Sequence, residues 1–154
     1  MRAGNEEGCG EMRREDVTRE WLQAIDTLEG QELEDAFARE VYGWTLSSGG
    51  FYWEGTFQWR DDPIRRVRKA QRNSWHPASS WGAFGHAVDD MCDMGYQVWL
   101  HVDGDSSECS VWAKNRFGGR DPLIRQLGGR NPRETALRAF IKAARVRAMD
   151  GEAR

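Results

Sequence analysis

His86, Asp90 and Asp93 recur at i, i+4 and i+7 within SSWGAFGHAVDDMCDMG, so they share one face of any helix that stretch forms. In QVWLHVD, His101 and Asp103 fall on one side of a strand. Zinc and similar ions take three or four such groups when they converge. A polar i, i+4, i+7 face is equally the ordinary solvated side of an amphipathic helix, and no motif brings this set to His101. No metal site and no cofactor are therefore assigned, and a metal-dependent enzyme ranks last of three functional readings.

Nucleophilic chemistry has less behind it. Cys9, Cys92 and Cys109 are widely scattered and form no CxxC pair, which indicates neither a zinc ribbon nor a disulfide framework. Cys92 follows Met91 on a helical pattern and is expected to be partly buried and inert. Nothing matches a nucleophile elbow, a Walker loop or a dinucleotide fingerprint. The paired glycines of RFGGRDPLIRQLGGR are of a kind that cradles phosphate, but the Lys-Ser/Thr ending is missing and the segment reads as a flexible loop. No catalytic residue is assigned, and the chain is expected not to be an enzyme.

Recognition has more support. FYWEGTFQWRDD is dense in aromatics, and Arg60, Arg65, Arg66, Arg68, Lys69 and Arg72 lie between it and Trp75-His76. Aromatics interleaved with cations stack bases and contact phosphates. The same residue types dominate protein-interface hot spots. Of the 8 Trp, five (Trp21, Trp44, Trp81, Trp99 and Trp112) fall on periodic stripes that predict core positions. That leaves Trp53, Trp59 and Trp75 in an irregular segment. The candidate binding residues are thus Trp53, Trp59, Arg60, Arg65, Arg66, Arg68, Trp75 and His76, with Trp59 as the expected anchor. The competing explanation is that this segment folds over the sheet as core.

Charge narrows the partner. The formal net charge is −3, but residues 1–40 carry 12 Asp/Glu against 5 Arg, whereas 114–154 carry 11 Arg/Lys against 4 Asp/Glu. Arg138, Lys142 and Arg145 form one cationic stripe on the last helical pattern. Such a stripe inside a helix is expected to neutralise the acidic N-terminal part rather than track a phosphate backbone. A protein is accordingly the first partner class and nucleic acid, through 51–76, the second.

The elements that must position these residues follow from periodicity. Residues 1–15 are polar and expected to be mobile. Residues 16–150 form one domain, in keeping with typical domain sizes. Helices are predicted from Asp16 to Leu28, over QELEDAFAREVYGW, from Ser79 or Ser80 to Gly95 (buried stripe Trp81, Phe84, Val88, Met91), and from Asn131 with Pro132 at its first position. Phe51 to Trp59 alternates as a strand, and QVWLHVD and CSVWAKNRF predict an antiparallel hairpin. Both faces of that hairpin carry large apolar groups. The expected class is therefore α+β, a small antiparallel sheet with helices on both faces, and enlarged loops at 45–76 and 117–130. MRAGNEEGCGEMRRE lacks the apolar core of a signal peptide and no apolar run approaches the ~20 residues that span a bilayer, which predicts a cytoplasmic protein without membrane contact.

Two of these stretches resemble the phage ABA sandwich domain family, small α-β-α proteins of tailed bacteriophages. ELEDAFAREVYGW is similar to that family's opening helix through Leu33, Phe37, Ala38, Gly43 and Trp44. HPASSWGAFGHAVDDMCDMGYQV is similar to its second helix and first strand, although the usual Ser-Thr-Asp helix start reads Ala78-Ser79-Ser80 here. ETALRAFIKAA matches its Ala-rich last helix. The resemblance implies an α-β-α fold and a phage origin, with no reaction attached. A phage accessory protein of this kind is expected to bind a host macromolecule, a component of bacterial defence in particular.

Overall fold

The computed structural model describes residues 14–54 and 67–153. Helix α1 (Arg14–Gln23) runs into a 3-10 turn (Ala24–Thr27), then α2 (Gly30–Glu40). Strands β1 (Thr45–Leu46), β2 (Phe51–Glu54) and β3 (Val67–Gln71) follow, then a 3-10 turn (Arg72–Ser74) and α3 (Trp81–Asp93). The chain continues through β4 (Tyr96–Asp103), β5 (Ser106–Lys114) and β6 (Arg120–Gly128) into α4 (Pro132–Ala153). The strands form two antiparallel three-stranded sheets, β1-β2-β3 and β4-β5-β6. Helices pack on the sheets, and the class is α+β.

Local chemistry accounts for the long elements. Ser80 caps α3, its hydroxyl accepting the Ala83 N–H at 3.3 Å, and Gly95 (φ +95°) turns the chain out of the helix. Asn131 caps α4 by accepting the Arg133 and Glu134 N–H groups at 3.1 and 3.3 Å. Glu134 does not complete a capping box. Its carboxylate reaches across to the Gly30 N–H at 3.0 Å and so serves an orphan donor at the start of α2. Gly104 (φ +57°) and Asp105 form the two-residue turn between β4 and β5, with Asp103 opposite Ser106.

Helix α4 organises the core. It lies against β5 and β6 on one side and α2 on the other, while α3 lies on β4. Ala136, Leu137, Ala139, Phe140, Ile141 and Ala143 are all buried, more than a single stripe, as expected of a helix covered on two sides. The sheet contributes Tyr96, Cys109 and Val111, with Val98 and Leu100 half-buried beside them. The acidic and basic halves of the chain meet as their charges suggested: Arg145 forks Glu40 at 2.6 and 2.8 Å, Lys142 pairs with Asp26 at 2.8 Å, and Arg138 donates to the Leu28 carbonyl.

Two strands stand where loops were expected. Strand β6 occupies most of 117–130; Pro122 is tolerated because β6 is an edge strand, and a bulge at Leu123 breaks the alternation that would have marked it. Strand β3, in the irregular 60–75 stretch, is polar and almost wholly exposed, so it has no apolar period to read. A helical turn expected after Pro63 and the Glu54-Gly55 hairpin lie outside the described residues.

Close approach sets one glycine. A Cβ on Gly128 would come 2.0 Å from the Thr135 hydroxyl oxygen. Thr135 is fully buried and cannot swing aside freely, since that oxygen bonds the Ser107 hydroxyl at 2.7 Å and the Asn131 carbonyl. Gly128→Ala is therefore expected to destabilise the protein by roughly 1–3 kcal/mol, the range for overpacking. Urea denaturation compared with wild type measures it; an unchanged midpoint would mean that α4 does not approach β6 this closely.

Candidate binding face

The β4–β6 sheet has two unlike faces. Its inner face meets α3 and α4 and holds the core residues described above. The register places the outer-face residues in three rows across β4, β5 and β6: Gln97, Trp112 and Pro122; Trp99, Ser110 and Arg125; His101, Glu108 and Leu127. Trp99 is 47% exposed and Leu127 66% exposed. His101 stacks on Trp99, their rings 5.5 Å apart and within 6° of parallel. Trp112 is half-buried beneath the Arg120 guanidinium, 5.4 Å from its ring centre. Arg125 is paired with Glu108 across the strands. The result is an apolar and aromatic patch with cations on it and one ion pair already closed.

The expected sorting of the tryptophans fails at Trp21, Trp75, Trp81 and Trp99. Trp99 does not lie in the core, and neither do Trp21 and Trp81, which sit on periodic stripes yet face solvent with Arg145 and Arg133 over their rings at 4.6 and 4.4 Å. Cation–π cover by arginines keeps these rings on the surface without leaving them bare. Trp75, from the irregular segment, instead packs on the core. It lies 5.3 Å from both Trp44 and Tyr52 and stacks on Phe37 at 6.2 Å. Cys92 is exposed rather than partly buried.

Of the residues first singled out for binding, Trp53, Arg68, Trp75 and His76 are among those described. Trp59, Arg60, Arg65 and Arg66 lie outside the described residues. Trp53 is half-buried on β2, and Arg68 is exposed with its guanidinium 4.5 Å from the Phe51 ring centre. His76 is partly exposed but held at both ring nitrogens, Nδ1 facing the Glu34 carboxylate at 3.0 Å and Nε2 facing the Asn73 carbonyl at 2.9 Å. Glu34, only 3% exposed, also accepts the Ala78 N–H at 3.0 Å. The Glu34 hydrogen bond, aided by the Asn73 carbonyl, raises the His76 pKa. Nearby, Asp35 accepts from Tyr52 and from both arms of the Arg72 fork. Desolvation pulls the Asp35 pKa upward, but the Arg72, Tyr52 and Gln31 hydrogen bonds outweigh it and the value falls. These groups tie β2, β3 and the 72–78 segment to α2.

Cys109, Asp90 and Tyr42 are likewise occupied or buried. Burial pushes the Cys109 thiol up to about 12, the opposite of an activated nucleophile. Asp90 accepts from the Tyr42 hydroxyl, and Tyr42, desolvated and bonded to that carboxylate, titrates well above an ordinary phenol. Among the described residues no three of His, Cys, Asp and Glu converge on a point that could hold a metal ion. One signal for the outer face was present in the sequence: its row residues are more polar than Val98, Leu100, Cys109 and Val111 opposite, as in a sheet solvated on one side.

No protein-family model matches the chain, and neither the curated proteins nor the solved structures include a match.

Proposed function

We propose that the protein is a phage-encoded accessory protein that acts without catalysis, docking the outer face of its β4–β6 sheet on a host protein in the host cytoplasm, with a component of bacterial defence as its target. The observation that carries the docking face is Trp99. An indole that is 47% exposed on the uncovered face of the sheet stands with Trp112 and Arg125, residue types enriched in interface hot spots, and beside the exposed Leu127. Phage origin rests on the resemblance of the helical segments alone, and the defence target on that analogy.

A protein suits the face better than a polynucleotide does. Arg125 is already neutralised by Glu108, and Asp103 stands at the hairpin end, so the face presents mixed charge rather than a cationic track. The helical cations Arg138, Lys142 and Arg145 are engaged inside the fold. Among the described residues no helix is long and apolar enough to cross a membrane.

Tagged protein, wild type beside Trp99→Ala, used to capture partners from nuclease-treated bacterial lysate tests this. The expected outcome is a host protein retained by wild type and weakened by 2 kcal/mol or more in the variant, at the scale of a hot spot. Its thermal stability should stay within about 1 kcal/mol of wild type. A partner held equally by both proteins, or recovery only of nucleic acid with binding that falls steeply with salt, would overturn the proposal.

A further inference from the structure

The two edges of the β4–β6 sheet are unlike. Strand β6 carries Pro122 and the bulge beside it, and β3, an edge of the small sheet, carries Arg68 and Lys69. Proline, bulges and charge are the usual means of keeping an edge strand from pairing with another chain. Strand β4 has none of these devices along its length. It runs for eight residues in unbroken register with β5 and contains no proline, lysine or arginine.

The hairpin identifies which backbone groups of β4 are left over. Its two-residue turn makes Asp103 and Ser106 a hydrogen-bonded pair, and at the other end the Lys114 N–H donates to the Gly95 carbonyl at 3.1 Å. The odd-numbered residues between these points therefore bond β5. Val98, Leu100 and Val102 turn their N–H and carbonyl groups to the free edge. Among the described residues nothing bonds to them there. The side chains along this edge are also thinly covered. Val98, Leu100 and Val102 lie opposite Val111, Cys109 and Ser107, all three buried. Val98 and Leu100 themselves are only half-buried, and Val102 is 51% exposed. The helices thus close over the inner row of β5 and leave an apolar row beside the unpaired backbone of β4.

We propose that β4 pairs antiparallel with β4 of a second copy of this chain, joining two three-stranded sheets into one continuous sheet. A twofold axis through Leu100, perpendicular to the sheet, sets Leu100 opposite its counterpart and Val98 opposite Val102 on the inner face. On the outer face it sets Trp99 opposite His101 and Gln97 opposite Asp103. Apolar meets apolar, indole meets imidazole, an amide meets a carboxylate, and no like charges face each other. The strand is its own complement, a match that an unrelated extended peptide would have to supply by its sequence. The pairing uses the edge and leaves both outer faces open on the same side, so it holds whether or not those faces dock elsewhere.

Sedimentation velocity of the purified protein over a dilution series, with amide hydrogen exchange followed residue by residue by NMR, tests this. Wild type is expected to shift from monomer to dimer as concentration rises. Over the same range the Val98, Leu100 and Val102 amides should pass from fast to slow exchange, while those of Trp99 and His101, bonded to β5, stay slow throughout. Val102→Pro removes an N–H that the hairpin does not use, and Val102→Lys places a charge on the open apolar row. Each is expected to raise the dimer dissociation constant at least about tenfold. The lysine variant leaves the backbone intact and reads the same loss should proline disturb the strand; its melting curve on dilute monomer should overlay wild type. A monomer at every concentration up to about 1 mM would leave the edge to a foreign strand and overturn the proposal. So would a dimer equally tight in both variants, or edge amides that stay fast in the dimer. Slow exchange of those amides in a monomer, independent of concentration, would give the edge to another part of the chain and overturn it as well.

Discussion

Phe37→Ala is expected to cost about 3–5 kcal/mol, the range for removing a buried phenyl ring from a core. Phe37 is fully buried on α2 and touches three aromatic neighbours: Tyr42 edge-on at 5.1 Å, Trp75 stacked at 6.2 Å and Phe140 of α4 at 6.0 Å. Tyr42 continues the cluster to Trp44, stacked at 4.4 Å. A cavity at position 37 therefore separates α2 from α4 and at the same time removes the surface on which Trp75 rests. The melting temperature should fall by roughly 10 °C, since about 2–4 °C accompanies each kcal/mol at this size. Thermal melts and urea titrations of Phe37→Ala beside wild type measure both. A loss below about 1 kcal/mol would mean that the aromatic cluster is not the junction between the helices and the small sheet.

Glu34→Ala should cost about 3 kcal/mol, because it leaves two groups of the 76–78 segment without their partner. The buried Ala78 N–H loses its acceptor, and His76 loses the carboxylate that faces Nδ1. Glu34→Gln keeps an oxygen for Ala78 and should lose less. The pH dependence follows from the geometry at His76. Both ring nitrogens face oxygen acceptors, so only the imidazolium donates to both. The folded pKa is thus raised above the unfolded value near 6.5, and the stabilisation is fully present below about pH 6.5 and lost as pH rises through the folded pKa. The stability difference between wild type and His76→Ala, measured by urea titration across this range, should be largest at the acid end. A difference that grows with pH would contradict the clamp.

What could be read from the sequence was decided by periodicity and caps. Helices α3 and α4 were marked by Ser80, Gly95, Asn131 and Pro132, and the β4–β5 hairpin by its alternation, because each signal is local and independent of tertiary partners. The strands β3 and β6 were hidden for opposite reasons. β3 is polar and exposed, and β6 carries Pro122 and a bulge that interrupts its pattern. Trp75 and Trp99 show the deeper limit. A periodic position states which residues share a face, not whether anything covers that face. Trp99 therefore passed as core and Trp75 as surface, whereas the tertiary packing places them the other way round.

Photo-crosslinking places the central claim under the most direct test. A photoreactive amino acid at position 99 lies in the middle row of the outer sheet face, and one at His86 lies on the exposed side of α3 as a control. Irradiated in nuclease-treated host lysate, the protein labelled at position 99 is expected to join covalently to one host protein. The protein labelled at position 86 should not join to it. Crosslinking of that host protein from position 86 with none from position 99 would contradict docking through the β4–β6 face.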